Sequence, residues 1–209
     1  MADNVAVTAG SGTTIATDEI SGVQYQRVKV VVGADGTNSG DASPSVPLPV
    51  QSPGFSSSDS QTRPNNTDAY AAFDVVGESP ADNLSFTGVG SVQGGCVFIT
   101  GASLLMETTA VPSGMSSFRL HLYSSGPTGI ADSAAYNLPS GDRGKYLGYI
   151  ELPAPVDLGD TIFSRVDNLN FHVKLANAST TLYGILSTVG AFTPAASVVA
   201  TVSIFGVQC

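Results

Sequence analysis

The sequence predicts an all-β fold: a jelly-roll-like antiparallel β-sandwich of about eight strands, preceded by an extended N-terminal β arm. Three observations lead there. Short runs of alternating apolar and polar residues recur along the chain. Gly, Pro, Ser and Asn separate them, the punctuation of a sandwich or barrel. No long stretch carries the 3.6-residue periodicity of an amphipathic helix.

The arm comes first, over residues 1–50. In ATDEISGVQYQRVKVVVGADGT, residues 16–37, an acidic turn leads into a strand expected over 23–32. A shorter strand is expected over 4–8. The spaced prolines of SGDASPSVPLPV, 39–50, favour extended backbone over helix. Fifty residues with so little apolar content cannot build a core, and an isolated hairpin is at best marginally stable in water. The arm must therefore dock on the sandwich, on a sister subunit or on another protein. Next, residues 51–67 (QSPGFSSSDSQTRPNNT) have no periodicity and the composition of a linker.

The sandwich domain is expected over 68–209. Its clearest strand is SFRLHLYS, 117–124, with Phe118, Leu120 and Leu122 on one face and Arg119, His121 and Tyr123 on the other. NFHVKLA, 170–176, repeats the pattern, and SVVATVSIFGV, 197–207, puts Val198, Ala200, Val202 and Ile204 on a common face. Strands at 69–76, 83–87, 95–108, 145–152 and 180–189 complete a set of the size of a jelly roll.

Composition narrows the function. The 209 residues are 42% hydrophobic, enough for a core, but only 12% charged, about half the usual share. Seventeen acids against 8 cations give a net charge of −9, which repels phosphate backbones, so direct nucleic-acid binding is not expected. No window has the roughly 20 apolar residues of a membrane-spanning helix. MADNVAVTAGSG has neither the cationic flank nor the apolar stretch of a secretion signal, so synthesis and assembly in a cytoplasm are expected. Cys96 reads as a small core residue and Cys209 as a terminal one; without a CxxC or Cys/His cluster, zinc is not expected.

Candidate chemical residues are few. A Ser–His–Asp site would need His121 or His172 beside an activated serine, but no G-x-S-x-G elbow occurs, and both histidines read as surface or sheet-interface residues. Asp35, Asn38 and Asp41 in GADGTNSGD offer three oxygens for a cation, or an ordinary Gly-rich turn. Asp18 and Glu19, and the charges of SGDRGK at 140–145, read as solvated turn residues. Asn65, Asn83 and Asn177 sit in glycosylation sequons that mean nothing without secretion. Without tryptophan, a sugar platform would have to be built from Tyr123, Tyr136, Tyr146, Tyr149 and Tyr183, for which sheet packing is the commoner use. No enzyme motif and no cofactor fingerprint is found.

One resemblance adds to this reading. GSGTTIATDEISGVQYQRVKVVVGADGTNSGD followed by PLPV resembles an N-terminal module of virion structural proteins of tailed bacteriophages and their prophages. RLHLYSSGPTGIADSAAYNLPSGDRGKYLGYIEL and LNFHVKLANASTTLYGILSTVGAFTPAASVVATVSIFG resemble their C-terminal β domain. Together these cover most of the chain, leaving out 51–67, and the 10–37 module is the more specific part. The resemblance implies a non-enzymatic structural role in the particle, most plausibly a capsid decoration (cement) protein, assembled in the host bacterial cytoplasm and placed on the capsid surface. The implied partners are the major capsid protein and further copies of the chain, as a homotrimer. The partner-binding strand would present Val23, Tyr25, Arg27, Val28, Lys29, Val30 and Val32: backbone pairing for adhesion, valines for register, and cations for an acidic strip on the shell. The alternative is a tail or fibre component that binds a receptor or glycan.

Overall fold

A computed structural model of the chain describes residues 17–26 and 54–208. The chain divides into two compact units, Met1–Ser52 and Pro53–Cys209.

In the first unit, strand β1 (Thr17–Ile20) pairs antiparallel with β2 (Val23–Gln26). Ser21 and Gly22 between them both have positive φ, 52° and 80°. That is the two-residue turn whose twist matches a hairpin, and Gly22 is the residue that reaches it without strain. Asp18 and Glu19, expected at a solvated turn, instead lie within β1 opposite Tyr25 and Gln24. Of the strand expected over 23–32, β2 covers the first four residues. Arg27, Val28, Lys29, Val30 and Val32 lie outside the described residues. So do the 4–8 strand and Asp35, Asn38 and Asp41.

The second unit is the sandwich. Its strands are β3 (Gly54–Thr62), β4 (Leu84–Phe86), β5 (Cys96–Met106), β6 (Phe118–Tyr123), β7 (Tyr146–Leu152), β8 (Val156–Asp157), β9 (Ile162–Lys174), β10 (Leu182–Thr188) and β11 (Val199–Gln208). One sheet runs β3-β11-β5-β9-β8 and the other β4-β10-β6-β7, all antiparallel. With the two-residue β8 set aside, the eight strands order as first–eighth–third–sixth and second–seventh–fourth–fifth. Consecutive strands thus alternate between the sheets, except that the fourth and fifth, β6 and β7, pair with each other, and this is the jelly-roll topology that the sequence predicts.

Both sheets turn their apolar positions inward. Phe118, Leu120 and Leu122 of β6 are fully buried, and so are Val202 and Ile204 of β11 and Val97 and Ile99 of β5. They belong to a single core cluster, each such side chain contributing roughly 1.5–3 kcal/mol. At Phe205/Gly206 the β11–β5 register shifts. A Cβ on Gly206 would collide with the Phe98 carbonyl oxygen, so the close approach of the two backbones requires glycine.

Three parts of the sandwich differ from expectation. Gly54–Thr62, within the stretch read as linker, is the nine-residue edge strand β3, paired to β11 along its length. Beyond Phe55, which packs against the core, its inward face is polar, because it lies against the backbone of the segment around β4. Asp59 Oδ2 accepts from the Ser85 amide at 2.6 Å, Ser57 Oγ donates to the Thr87 carbonyl at 2.9 Å, and Gln61 Nε2 donates to the Asp82 carbonyl at 2.8 Å. β9 starts at Ile162, eight residues before the expected strand, because a bulge near Asn168 (φ 60°) interrupts the alternation. The segment expected as a strand over 69–76 forms only isolated bridges, Tyr70 to Phe192, Asp74 to Ala135 and Val75 to Ser187. Phe73, at φ 68°, breaks its extended backbone.

Candidate functional site

The outer face of the β4-β10-β6-β7 sheet carries a cluster of polar and aromatic groups. Alternation along β6 sends Arg119, His121 and Tyr123 outward, opposite Ser187, Ile185 and Tyr183 of β10. β7 adds Tyr146 and Tyr149. Two loop segments cover part of this face. Residues 73–76 bond to β10, with the Phe73 amide donating to the Thr188 carbonyl at 2.9 Å and Val76 to Leu186 at 2.9 Å. The 130–138 loop joins them, its Tyr136 amide donating to the Phe73 carbonyl at 2.9 Å. Val75, Tyr123 and Ile185 form a small second core beneath, packed against Tyr136, Tyr146 and Tyr183 among others.

Beside this second core lies a cleft of about 380 Å³ lined by Phe73, Arg119, His121, Tyr136, Tyr146, Tyr149 and Ser187. His121 forms its floor. The imidazole stacks on Tyr136 at 3.6 Å between ring centres, 13° from parallel. Its Nδ1 lies 3.2 Å from the Tyr146 hydroxyl and its Nε2 3.1 Å from Ser187 Oγ. A neutral imidazole has one donor and one acceptor for these two hydroxyls. Burial, and then the charge of Arg119, lower the His121 pKa from 6.5 to about 4. Burial, reinforced by Tyr136, pushes the Tyr146 phenol up to about 12. Burial and the hydrogen bond to Tyr123, 2.7 Å between hydroxyls, raise Tyr136 also.

Arg119 forms one wall. Its guanidinium lies 4.7 Å from the Tyr149 ring centre and 5.3 Å from that of Phe73. Nε is buried without an acceptor. Glu151, directly opposite on β7, accepts a hydrogen bond from Ser117 at 3.3 Å and forms no ion pair with Arg119. Tyr149 and Phe73 are 45% and 46% exposed, so both rings present surface to solvent.

The Ser187–His121 pair has the spacing of a nucleophile and its base, but not the chemistry. Ser187 is 1% exposed, so its hydroxyl cannot reach a substrate carbonyl. A histidine with a pKa near 4 is a weak base at neutral pH, and Tyr146, not a carboxylate, holds its far nitrogen. The pair anchors the cleft floor.

A second polar cluster is structural. Arg63 and Asp132, both side chains almost fully buried, pair at 3.2 Å. Arg63 also donates to the Tyr70 hydroxyl, the Asn66 side chain and the Ala195 carbonyl. Asp132 accepts from Tyr70 at 2.5 Å and from the Gly77 amide. Satisfied on every side, the pair ties the end of β3 to three loops.

Of the residues singled out in the sequence, Tyr123, Tyr136, Tyr146 and Tyr149 come together around His121, and Tyr183 packs in the core beside them. His172 is exposed on β9. Cys96 is a free, half-buried thiol at the start of β5. Asp142, read as a solvated turn residue, is buried instead. The Lys145 ammonium at 2.8 Å and the Thr128 amide at 2.8 Å hold its pKa at about 2. In the hairpin, Val23 is half-buried and Tyr25 is 53% exposed. Phe73, Arg119 and Ser187 were not singled out; the β6 alternation that placed His121 and Tyr123 on one face was the signal for Arg119.

No family model matches the sequence, and neither does any curated protein. Among solved structures, the chain is similar to one from "Israeli acute paralysis virus heated to 63 degree - full particle". Identity is 11% and the TM-score 0.30, covering 99% of this chain and 94% of that one. It is similar also to a chain from "Native virion of Kashmir bee virus at acidic pH", at 11% identity and a TM-score of 0.24, covering 96% and 91%.

Proposed function

We propose that this protein is a non-enzymatic structural component of a virus particle, and specifically a capsid decoration (cement) protein of a tailed bacteriophage. The single observation that carries the reading is the hairpin of the first unit. Ile20 and Tyr25 are 59% and 53% exposed on its two described strands, and a hairpin by itself is at best marginally stable in water. Such an element gains stability by docking, and the shell of major capsid protein is the docking partner that the sequence resemblance implies.

The sandwich suits the same role. Its outward-facing β3 residues, Ser56, Ser58, Ser60 and Thr62, are all exposed and uncharged. A low-charge face packs against further copies, here as a homotrimer, without the desolvation cost of charges. Weak contacts repeated over many copies then brace the shell through multivalency. A second reading, a tail or fibre component that binds a receptor or glycan, is favoured by the aromatic cleft. The jelly-roll fold alone does not choose between them.

Copy number and place decide. Quantitative mass spectrometry of purified virions, with antibody labelling in electron microscopy, should find many copies per particle dispersed over the head. A few copies confined to one vertex would replace the first reading by the second.

A further inference from the structure

The cleft on the β6–β7–β10 face has three properties that a mere packing defect would not combine. Its guanidinium is unpaired: no acid or other acceptor among the described residues meets Arg119, and one of its nitrogens is buried unsatisfied. Its two outermost rings, Phe73 and Tyr149, flank that cation and remain nearly half exposed. And Phe73 is held in a left-handed backbone conformation, strained for a non-glycine residue, by hydrogen bonds at both its amide and its carbonyl. Backbone strain that fixes an exposed aromatic ring at the mouth of a cleft is a mark of a binding site.

We propose that this cleft binds an acidic sugar, with Arg119 taking the carboxylate and Tyr149 and Phe73 the apolar face of the pyranose ring. A guanidinium presents parallel N–H donors that match a carboxylate in a bidentate fork. A sugar ring has one face of C–H groups that packs on an aromatic ring, and the two exposed rings supply that surface next to the fork. A volume of about 380 Å³ is in the range of small-ligand pockets. The floor is fixed before the ligand arrives, since His121 is held by Tyr146, Ser187 and the Tyr136 stack. A bare carboxylate would leave both rings uncovered, and a neutral sugar would leave the fork empty. The net charge of −9 weakens long-range attraction of anions, so recognition rests on these short contacts. The inference goes beyond the structural role and holds whether the protein sits on head or tail.

The test is NMR titration of the full-length protein with glucuronate, glucose and acetate. Glucuronate should bind at least ~10-fold more tightly than either of the others, with shifts centred on Arg119 and Tyr149. Arg119→Gln should bring glucuronate down to the level of glucose, while Tyr149→Ala, at a ring 45% exposed, should weaken both sugars. No binding of glucuronate at ~10 mM would overturn the proposal. So would acetate binding as tightly as glucuronate, which would mark a plain anion site, and so would glucose binding equally well. If Arg119→Gln fails to fold, the Tyr149→Ala variant and the three-ligand comparison still decide.

Discussion

His121 shows how one side chain couples the cleft to stability. Its folded pKa, about 4, lies below the 6.5 of an unfolded histidine. Between those values the unfolded chain binds a proton that the folded chain does not. This contribution to stability is therefore fully present above about pH 6.5 and is lost as the pH falls toward 4, with a slope of at most ~1.4 kcal/mol per pH unit. Urea unfolding at pH 7, 6, 5 and 4.5 should show that loss in the native protein and a flatter profile in His121→Gln. Equal profiles would mean that the imidazole is not held neutral. Asp142 acts in the same direction at lower pH. Its carboxylate, held at about 2 by Lys145 and Thr128, contributes above the ordinary carboxylate range and is lost as the pH falls toward 2.

At the scale of elements, β3 explains how the jelly roll closes one open edge. Its outward residues touch solvent, while Ser57, Asp59 and Gln61 supply hydrogen-bond partners to the backbone of the segment around β4. Asp59→Ala would leave the Ser85 amide without its acceptor and should cost ~1–3 kcal/mol. Ser58→Ala, one residue away but facing out, should change stability by no more than ~0.5 kcal/mol. Equal effects in chemical denaturation would show that the Asp59 bond to the Ser85 amide does not hold β3 to that segment. β3 also shows why part of the fold was illegible in the sequence. Strands with a hydrophobic inward face, such as β6 and β11, announce themselves through alternation. In β3 only Phe55 is apolar, so Gly-Phe-Ser-Ser-Ser-Asp-Ser has the composition of a linker while behaving as a strand. The first half of β9 was hidden by its bulge, and 69–76 was over-read because one left-handed residue, Phe73, leaves no mark on the apolar pattern. The cleft was half legible. Its tyrosines and His121 stood out by type and face, but Phe73 and Tyr136 reach it from loops, and loop positions carry no period.

At the scale of the molecule, the two units pose different physical problems. The sandwich has a contiguous core shared by both sheets, and its first strand starts at Gly54, so Pro53–Cys209 holds what it needs to fold. The hairpin has two four-residue strands, a turn set by Ser21 and Gly22, and exposed Ile20 and Tyr25. The division of labour proposed above follows: a stable body, and an attachment element that needs a surface. Its most direct test is a binding assay with undecorated capsid shells, comparing the full chain with a chain that begins at Pro53. The truncated protein should unfold as cooperatively as the full chain and fail to attach, while the full chain decorates the shells to saturation. Normal decoration by the folded truncated chain would rule out the hairpin as the attachment element.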